Sequence, residues 1–198
     1  MDLFPLDAVT DGESVRTAAI QALKPNVTRE EAIRVFRSGG FSAAYWKIRN
    51  GPLQRVADAY VPFWIYQVRY EVVGALNTRI FALDAVQGAL DLFEFPHVPR
   101  EKELLTIETR NRLLPCLPPN AAEELLRTKV LRVLFQQGFF KLRALKVEIT
   151  RLPSELHLPY WLAFYGNNGS AKCRVMDAVR RRIEGAKASY FFEQWLAA

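Results

Sequence analysis

The chain has 198 residues, half of them apolar and 12% aromatic, and a formal net charge of +6. That is enough apolar material for a real core, and the composition excludes an intrinsically disordered chain. The longest apolar runs, such as 158–165, fall far short of the ~20 residues a membrane-crossing helix needs.

The start, Met1-Asp2-Leu3-Phe4-Pro5-Leu6-Asp7, is acidic and broken by proline, without the basic and apolar regions of a signal peptide. Cys116 and Cys173 make no disulfide framework, so a reducing cytoplasm is the expected compartment. Residues 13–23 read as a short helix, with Val15, Ala18, Ala19, Ala22 and Leu23 near one stripe and Pro25 as the stop. Thr28-Arg29-Glu30-Glu31 has the form of a capping box and opens a helix to about Ser38, ended by Gly39-Gly40. Residues 41–49 read as a strand before the turn Asn50-Gly51-Pro52. From 61 to 72, Trp64, Tyr66, Val68, Tyr70 and Val72 share one face while Gln67, Arg69 and Glu71 share the other, the pattern of a half-buried antiparallel strand. Residues 79–85 return, Gln87-Gly88 turns, and 89–95 gives a further strand.

Prolines 96, 99, 115, 118 and 119 mark a junction over 96–119, with a helix near 101–113. Asn120 is the expected cap of the longest helix, which runs to about Gln137 and carries Leu125, Leu126, Val130, Val133 and Leu134 toward the core. Residues 145–150 alternate strictly and read as a strand. Residues 161–165 and 172–176 form a second hairpin around Gly166-Asn167-Asn168-Gly169. Beyond Asp177, either a strand or a helix leads to Trp195.

Much of this order occurs twice. Val61-Pro62-Phe63-Trp64 and then Leu83-Asp84-Ala85-Val86 are matched by Leu158-Pro159-Tyr160-Trp161 and then Met176-Asp177-Ala178-Val179. Leu23-Lys24-Pro25-Asn26 before Glu30-Glu31-Ala32-Ile33 is matched by Leu117-Pro118-Pro119-Asn120 before Glu123-Glu124-Leu125-Leu126. Between Trp and Asp the second series is four residues shorter, a change that keeps every side chain on its face. The repetition reads as a gene duplication. The expected fold class is α+β: two pseudo-symmetric repeats, each a helix packed on an antiparallel β-meander. The N-terminal repeat spans 1–95, the junction 96–119, and the C-terminal repeat with its aromatic tail 120–198.

The helix opening Thr28-x-Glu30-Glu31-Ala32, the strand Tyr66-x-Val68-x-Tyr70 and the turn Leu83-Asp84-Ala85-Val86-Gln87-Gly88-Ala89-Leu90 together resemble the PepSY domain over about 28–92. The likeness recurs more faintly over 120–184, where Arg181 stands in the place of the turn glycine. The resemblance implies a small α+β fold and a binding or inhibitory module without catalysis.

Candidate chemistry is sparse. Asp84 and Asp177 are duplicated carboxylates: paired across a two-fold axis they would share a proton or metal, but at a strand end Asp caps the backbone of its own turn. His97 and His157 each stand two residues before a proline, and no close-spaced ligand motif accompanies them, so no metal or cofactor is expected. The aromatic set Phe63, Trp64, Tyr66, Tyr160, Trp161 and Tyr165 reads as core, and any exposed member as an anchor for a protein partner or a stacking platform for bases.

Charge is uneven: residues 1–98 carry ten Lys/Arg against eleven Asp/Glu, and residues 99–198 carry seventeen against ten. Lys172, Arg174, Arg180, Arg181, Arg182 and Lys187 cluster after the second hairpin. Tyr190, Phe191 and Trp195 make an aromatic terminus that either folds back on the sheet or docks on another chain. The expected function is a non-catalytic protein-binding or assembly subunit that uses an exposed sheet face or edge and the aromatic C-terminus, not an enzyme. Its partner is acidic and is met through Arg180, Arg181, Arg182, Lys187, Tyr190, Phe191 and Trp195, and trimming 190–198 is expected to leave the rest folded. The alternative is an RNA- or DNA-associated protein binding through the basic C-terminal half.

Overall fold

Alternating apolar and polar side chains over 61–72 mark part of a strand that is, in the folded chain, twenty residues long. The computed structural model describes residues 17–38, 40–72, 75–136, 146–166 and 172–197. In chain order they form β1 (Ala18–Leu23), α1 (Arg29–Ser38), α2 (Gly40–Asn50), β2 (Leu53–Val72), β3 (Ala75–Asp84), β4 (Phe93–Phe95), β5 (Leu104–Thr109), α3 (Pro119–Gln136), β6 (Val147–Tyr165), β7 (Lys172–Asp177), β8 (Arg182–Ile183) and α4 (Ala186–Ala197). The class is α+β.

Two long antiparallel strands organise the sheet. β2 and β6 pair with Tyr60 opposite Pro159, Val61 opposite Leu158 and Pro62 opposite His157. β3 folds back on the C-terminal part of β2, placing Asp84 opposite Phe63 and Leu83 opposite Trp64. β7 folds back on the C-terminal part of β6 in like register, with Asp177 opposite Tyr160 and Met176 opposite Trp161. β4 and β8 add to the outer edges of β3 and β7. β1 joins β6 through one parallel pair, Ala22 with His157, and carries β5 antiparallel along its whole length.

Proline inside strands usually breaks a ladder. Here the carbonyl of Pro62 accepts the Ala85 N–H at 2.8 Å, and that of Pro159 accepts the Ala178 N–H at 3.1 Å. In an antiparallel strand the N and C=O of one residue point the same way. Each proline therefore turns its missing donor away from the β2–β6 ladder, and the central pairing loses nothing.

Both sheet faces are covered. On one, Val61, Phe63, Leu158 and Tyr160 pack with Phe191 and Phe192 of α4. On the other, two clusters lie under two helices. Ala32 and Phe36 of α1 pack on Ala163, Tyr165 and Met176 of β6 and β7. Ala122, Leu126, Val130 and Leu134 of α3 pack on Trp64, Tyr66 and Val68 of β2 and Leu83 of β3. The helices thus cross over: the N-terminal one lies on the C-terminal hairpin, and the reverse. Tyr165 Oη donates to the Phe36 carbonyl at 2.9 Å and Trp161 Nε1 to the Val27 carbonyl at 3.0 Å, which fixes the N-terminal part of this exchange.

Several expectations need correction. Residues 18–23 are a strand, not part of a helix: six successive pairs with β5 satisfy their backbone, while 13–16 lie outside the described residues. Residues 41–49 belong to α2 rather than a strand. There Asn50 Nδ2 donates to the Trp46 carbonyl and Arg49 to Tyr45 Oη, both at helical spacing, and Trp46 packs on Tyr165 at 5.7 Å. Residues 104–109 are strand β5, preceded by a single 3-10 turn at Glu101–Glu103, where a helix near 101–113 is expected. The strand expected over 89–95 shrinks to Phe93–Phe95 because the Leu90 N–H bonds Asp84 instead. Asn120 lies inside α3 rather than capping it, since the Ala122 N–H bonds the Pro118 carbonyl at 2.9 Å. Past Asp177 the chain forms both β8 and α4.

Candidate functional site

The two aspartate turns are built alike. Asp84 is fully buried and accepts backbone N–H groups of Gln87 at 3.0 Å, Gly88 at 2.8 Å and Leu90 at 2.8 Å. Asp177 is equally buried and accepts those of Val179 and Arg180, both at 2.8 Å. Burial pushes the Asp177 carboxyl up, against its turn N–H groups and Arg180, whose Nε lies 3.5 Å from the second oxygen. Each carboxylate thus serves its own turn. The same left-handed backbone follows: φ is 62° at Gly88 and 58° at Arg181.

What packs on each turn differs. A Cβ at Gly88 would lie 2.2 Å from Leu125 Cδ2 and 3.4 Å from Leu117 Cδ2, so the glycine lets α3 seal its turn. On α1 the buried stripe is Ala32 and Phe36, and on α3 it includes Ala122 and Leu126. Counted from the helix starts, where the Ala32 N–H bonds the Thr28 carbonyl and the Ala122 N–H the Pro118 carbonyl, Val35 stands where Leu125 stands on α3, three residues off the Glu30-Glu31 to Glu123-Glu124 match read from the sequence. With the shorter Val35 on the helix and Arg181 on the turn, the α1 side is not sealed. A cleft of about 460 Å³ lies there, lined by Val27, Glu31, Arg34, Val35, Ser38, Met176 and Arg181.

Local sequence sets its walls. The Glu31 N–H donates to Thr28 Oγ1 at 3.3 Å and the Thr28 N–H to Glu31 Oε2 at 2.9 Å, the reciprocal capping box read from the sequence. The other Glu31 oxygen lies 3.7 Å from the Arg181 guanidinium. Arg34, one turn along, has no carboxylate partner among the described residues. The rim carries Arg34, Arg181 and Glu31, a net positive charge, over an apolar floor of Val27, Val35 and Met176.

The residues marked in the sequence scatter. Arg180, Arg181 and Arg182 point three ways. Arg180 lies 4.2 Å from the Phe93 ring and donates to the Leu92 carbonyl at 2.8 Å, tying the Asp177 turn to β4. Arg181 enters the cleft. Arg182 pairs with Glu184 at 3.0 Å and Asp91 at 3.5 Å. Lys187 and Tyr190 are exposed on α4, Trp195 is half-buried, and Phe191 faces the core at 2% exposure. The tail folds back on the sheet. Lys172 pairs with Glu193 at 3.8 Å, and Arg174 is buried 5.9 Å from the Trp46 ring. Of the marked set, only Arg181 lines the cleft. Arg34 and Val35, which line it beside Arg181, escape a reading of local pattern, because only the helix starts of the folded chain set Val35 against Leu125.

A second polar group lies beside the β2–β6 seam. Tyr60 is pushed up to about 12 by burial and by Asp58, which also accepts Asn111 Nδ2 at 2.9 Å. His157 is buried at 4% exposure, with Nε2 4.0 Å from Glu155 Oε1, and burial holds its imidazole below the ordinary range. Of the cysteines, Cys116 is exposed, and burial pushes the Cys173 thiol up to about 12. Among the described residues no three His, Cys, Asp or Glu side chains group as a metal ligand set, and no helix is long and apolar enough to cross a membrane. Comparison of the chain with protein-family models, curated proteins and solved structures found no match.

Proposed function

We propose that the chain is a non-catalytic protein-binding or assembly module made of two tandem copies of one α+β unit, and that its α1 cleft holds an acidic segment of a partner protein. Several observations support the duplication. From Asp58 to Trp64 the β2–β6 register is symmetric about the Val61–Leu158 pair, and register shifts end the match beyond it. Asp84 and Asp177 share one register and one turn, and Gly88 and Arg181 share one backbone conformation. Parallel pairs Ala22–His157 and Tyr60–Arg112 flank the centre on opposite sides. The binding or inhibitory role implied by the PepSY resemblance agrees with this reading.

The observation that carries the function is the divergence of one interface. Gly88 and Leu125 close it in one half, while Arg181 and Val35 leave it open with arginine at the rim. A buried interface that merely supported the fold would gain from closing in both halves. Two guanidiniums over an apolar floor suit a carboxylate-bearing peptide, and arginine is a common anchor in protein interfaces.

The test is affinity capture from native lysate with and without nuclease, comparing the wild-type chain with the double variant R34E/R181E. A stoichiometric protein retained by the wild type after nuclease, and lost by the variant, is the expected result. Retention by both removes the cleft from the reading. Loss of every partner on nuclease treatment turns the reading to nucleic acid, with Arg182 and Lys187 as the next residues to neutralise.

A further inference from the structure

Resting on the binding reading above, we infer that the occupant of the α1 cleft inserts one leucine-sized aliphatic side chain with a carboxylate on a neighbouring residue. The filled turn supplies the template. At Gly88 the space between helix and turn is taken by the Leu125 and Leu117 side chains. At Arg181 the one apolar side chain the helix contributes is Val35, beside Glu31, Arg34 and Ser38, and Met176 and Val27 form the floor. Met176 holds the place beneath the open turn that Leu83 holds beneath the closed one, each opposite the tryptophan of its hairpin. What the open side lacks is branched aliphatic bulk of the kind Leu125 provides.

Size and charge complete the description. A volume of about 460 Å³ is in the usual range of ligand clefts and exceeds what one side chain fills, so adjoining backbone enters too. A free phosphate would engage Arg34 and Arg181 but leave the apolar floor wet. A wholly apolar segment would bury Arg34 without a partner, which is costly. Glu31 already lies beside Arg181, so the incoming carboxylate meets Arg34 first. Leu125 itself follows Glu123-Glu124, the same chemistry placed side by side in this chain.

The probe is a displayed library of random peptides of about twelve residues, panned on the full chain. Binders are removed with the double variant V35L/R181G, which rebuilds the closed interface. Enriched peptides should carry Leu, Ile or Met within two positions of Asp or Glu. Changing that aliphatic residue to Ala should weaken binding about tenfold or more, as befits burial of a leucine. The single exposed change R34E should weaken the same peptides by a similar factor, and it keeps the test intact if V35L/R181G does not fold. Cleft-dependent peptides without an aliphatic or acidic residue overturn the inference and leave the binding role standing. Peptides indifferent to both variants, or no enrichment at all, overturn it too. Failure of the cleft reading itself shows separately, as a native partner retained equally by the wild type and R34E/R181E.

Discussion

Gly88 and Arg181 adopt one backbone conformation with different side chains, which makes them a paired test of what the turn requires. Left-handed φ costs a non-glycine residue roughly 1–2 kcal/mol, and an exposed ion pair returns about 0–1 kcal/mol. Arg181→Gly is therefore expected to raise thermal stability slightly while removing one of the cleft's two guanidiniums. Gly88→Ala adds the same backbone cost and drives a methyl into Leu125, so a loss of about 1–3 kcal/mol is expected in chemical denaturation. Equal effects at the two sites would mean that the α3 contact is not tight. His157 bears on pH. Its imidazole is held below its ordinary 6.5 by burial, aided by Arg112 and opposed by Glu155 and the Gln21 backbone. The unfolded chain then binds more protons just below 6.5, so this stabilisation is present above 6.5 and is lost as pH falls toward the folded value. Asp177, raised above 3.8, acts with the opposite sign. Melting temperatures of wild type and His157→Gln between about pH 8 and 5 isolate the imidazole: the wild-type advantage should shrink as pH falls. A constant difference would refute the assignment.

At the scale of elements, α4 is structural. Phe191 and Phe192 are 2% and 0% exposed, and the Phe192 ring packs at a tilt on Tyr160 of the central sheet, with centroids 5.4 Å apart. The helix also guards the β7 edge, since Glu193 Oε1 accepts the Cys173 N–H at 3.1 Å. Trimming 190–198 is thus expected to unfold the chain rather than leave a folded remnant. Phe192→Ala should cost about 3–5 kcal/mol, while Tyr190→Ala, at 61% exposure, should cost under about 0.5 kcal/mol. Circular dichroism melts of the three forms decide the matter. The terminal aromatics announce burial or docking in the sequence, but not which, because aromatic stripes serve both.

At the scale of the molecule, the crossing of the helices makes each half depend on the other. Phe36 of α1 packs on Tyr165, and Leu126 of α3 packs in the Trp64 cluster. The long strands pair along most of their length. Residues 1–98 and 99–198 expressed separately are expected to be unfolded or aggregated, and to recover native-like amide dispersion when co-expressed. A folded lone half would show that the halves are independent units.

The sequence by itself determined what depends on near neighbours. The Thr28–Glu31 box, the hairpins 61–85 and 161–177, the aspartate turns and α3 all rest on spacing within a few residues, where capping, alternation and turn chemistry act. Arg181 in the glycine's place was also legible. Only the tertiary structure decided the rest. Ala18–Leu23 is a strand because β5 pairs with it, and Gly40–Asn50 a helix because Trp46 meets a tyrosine far along the chain. The cleft exists because α1 lies on the hairpin of the opposite half, a contact spanning 129 residues. Local propensity is a weak prior at such positions, and the burial that outweighs it comes from partners no sequence window contains.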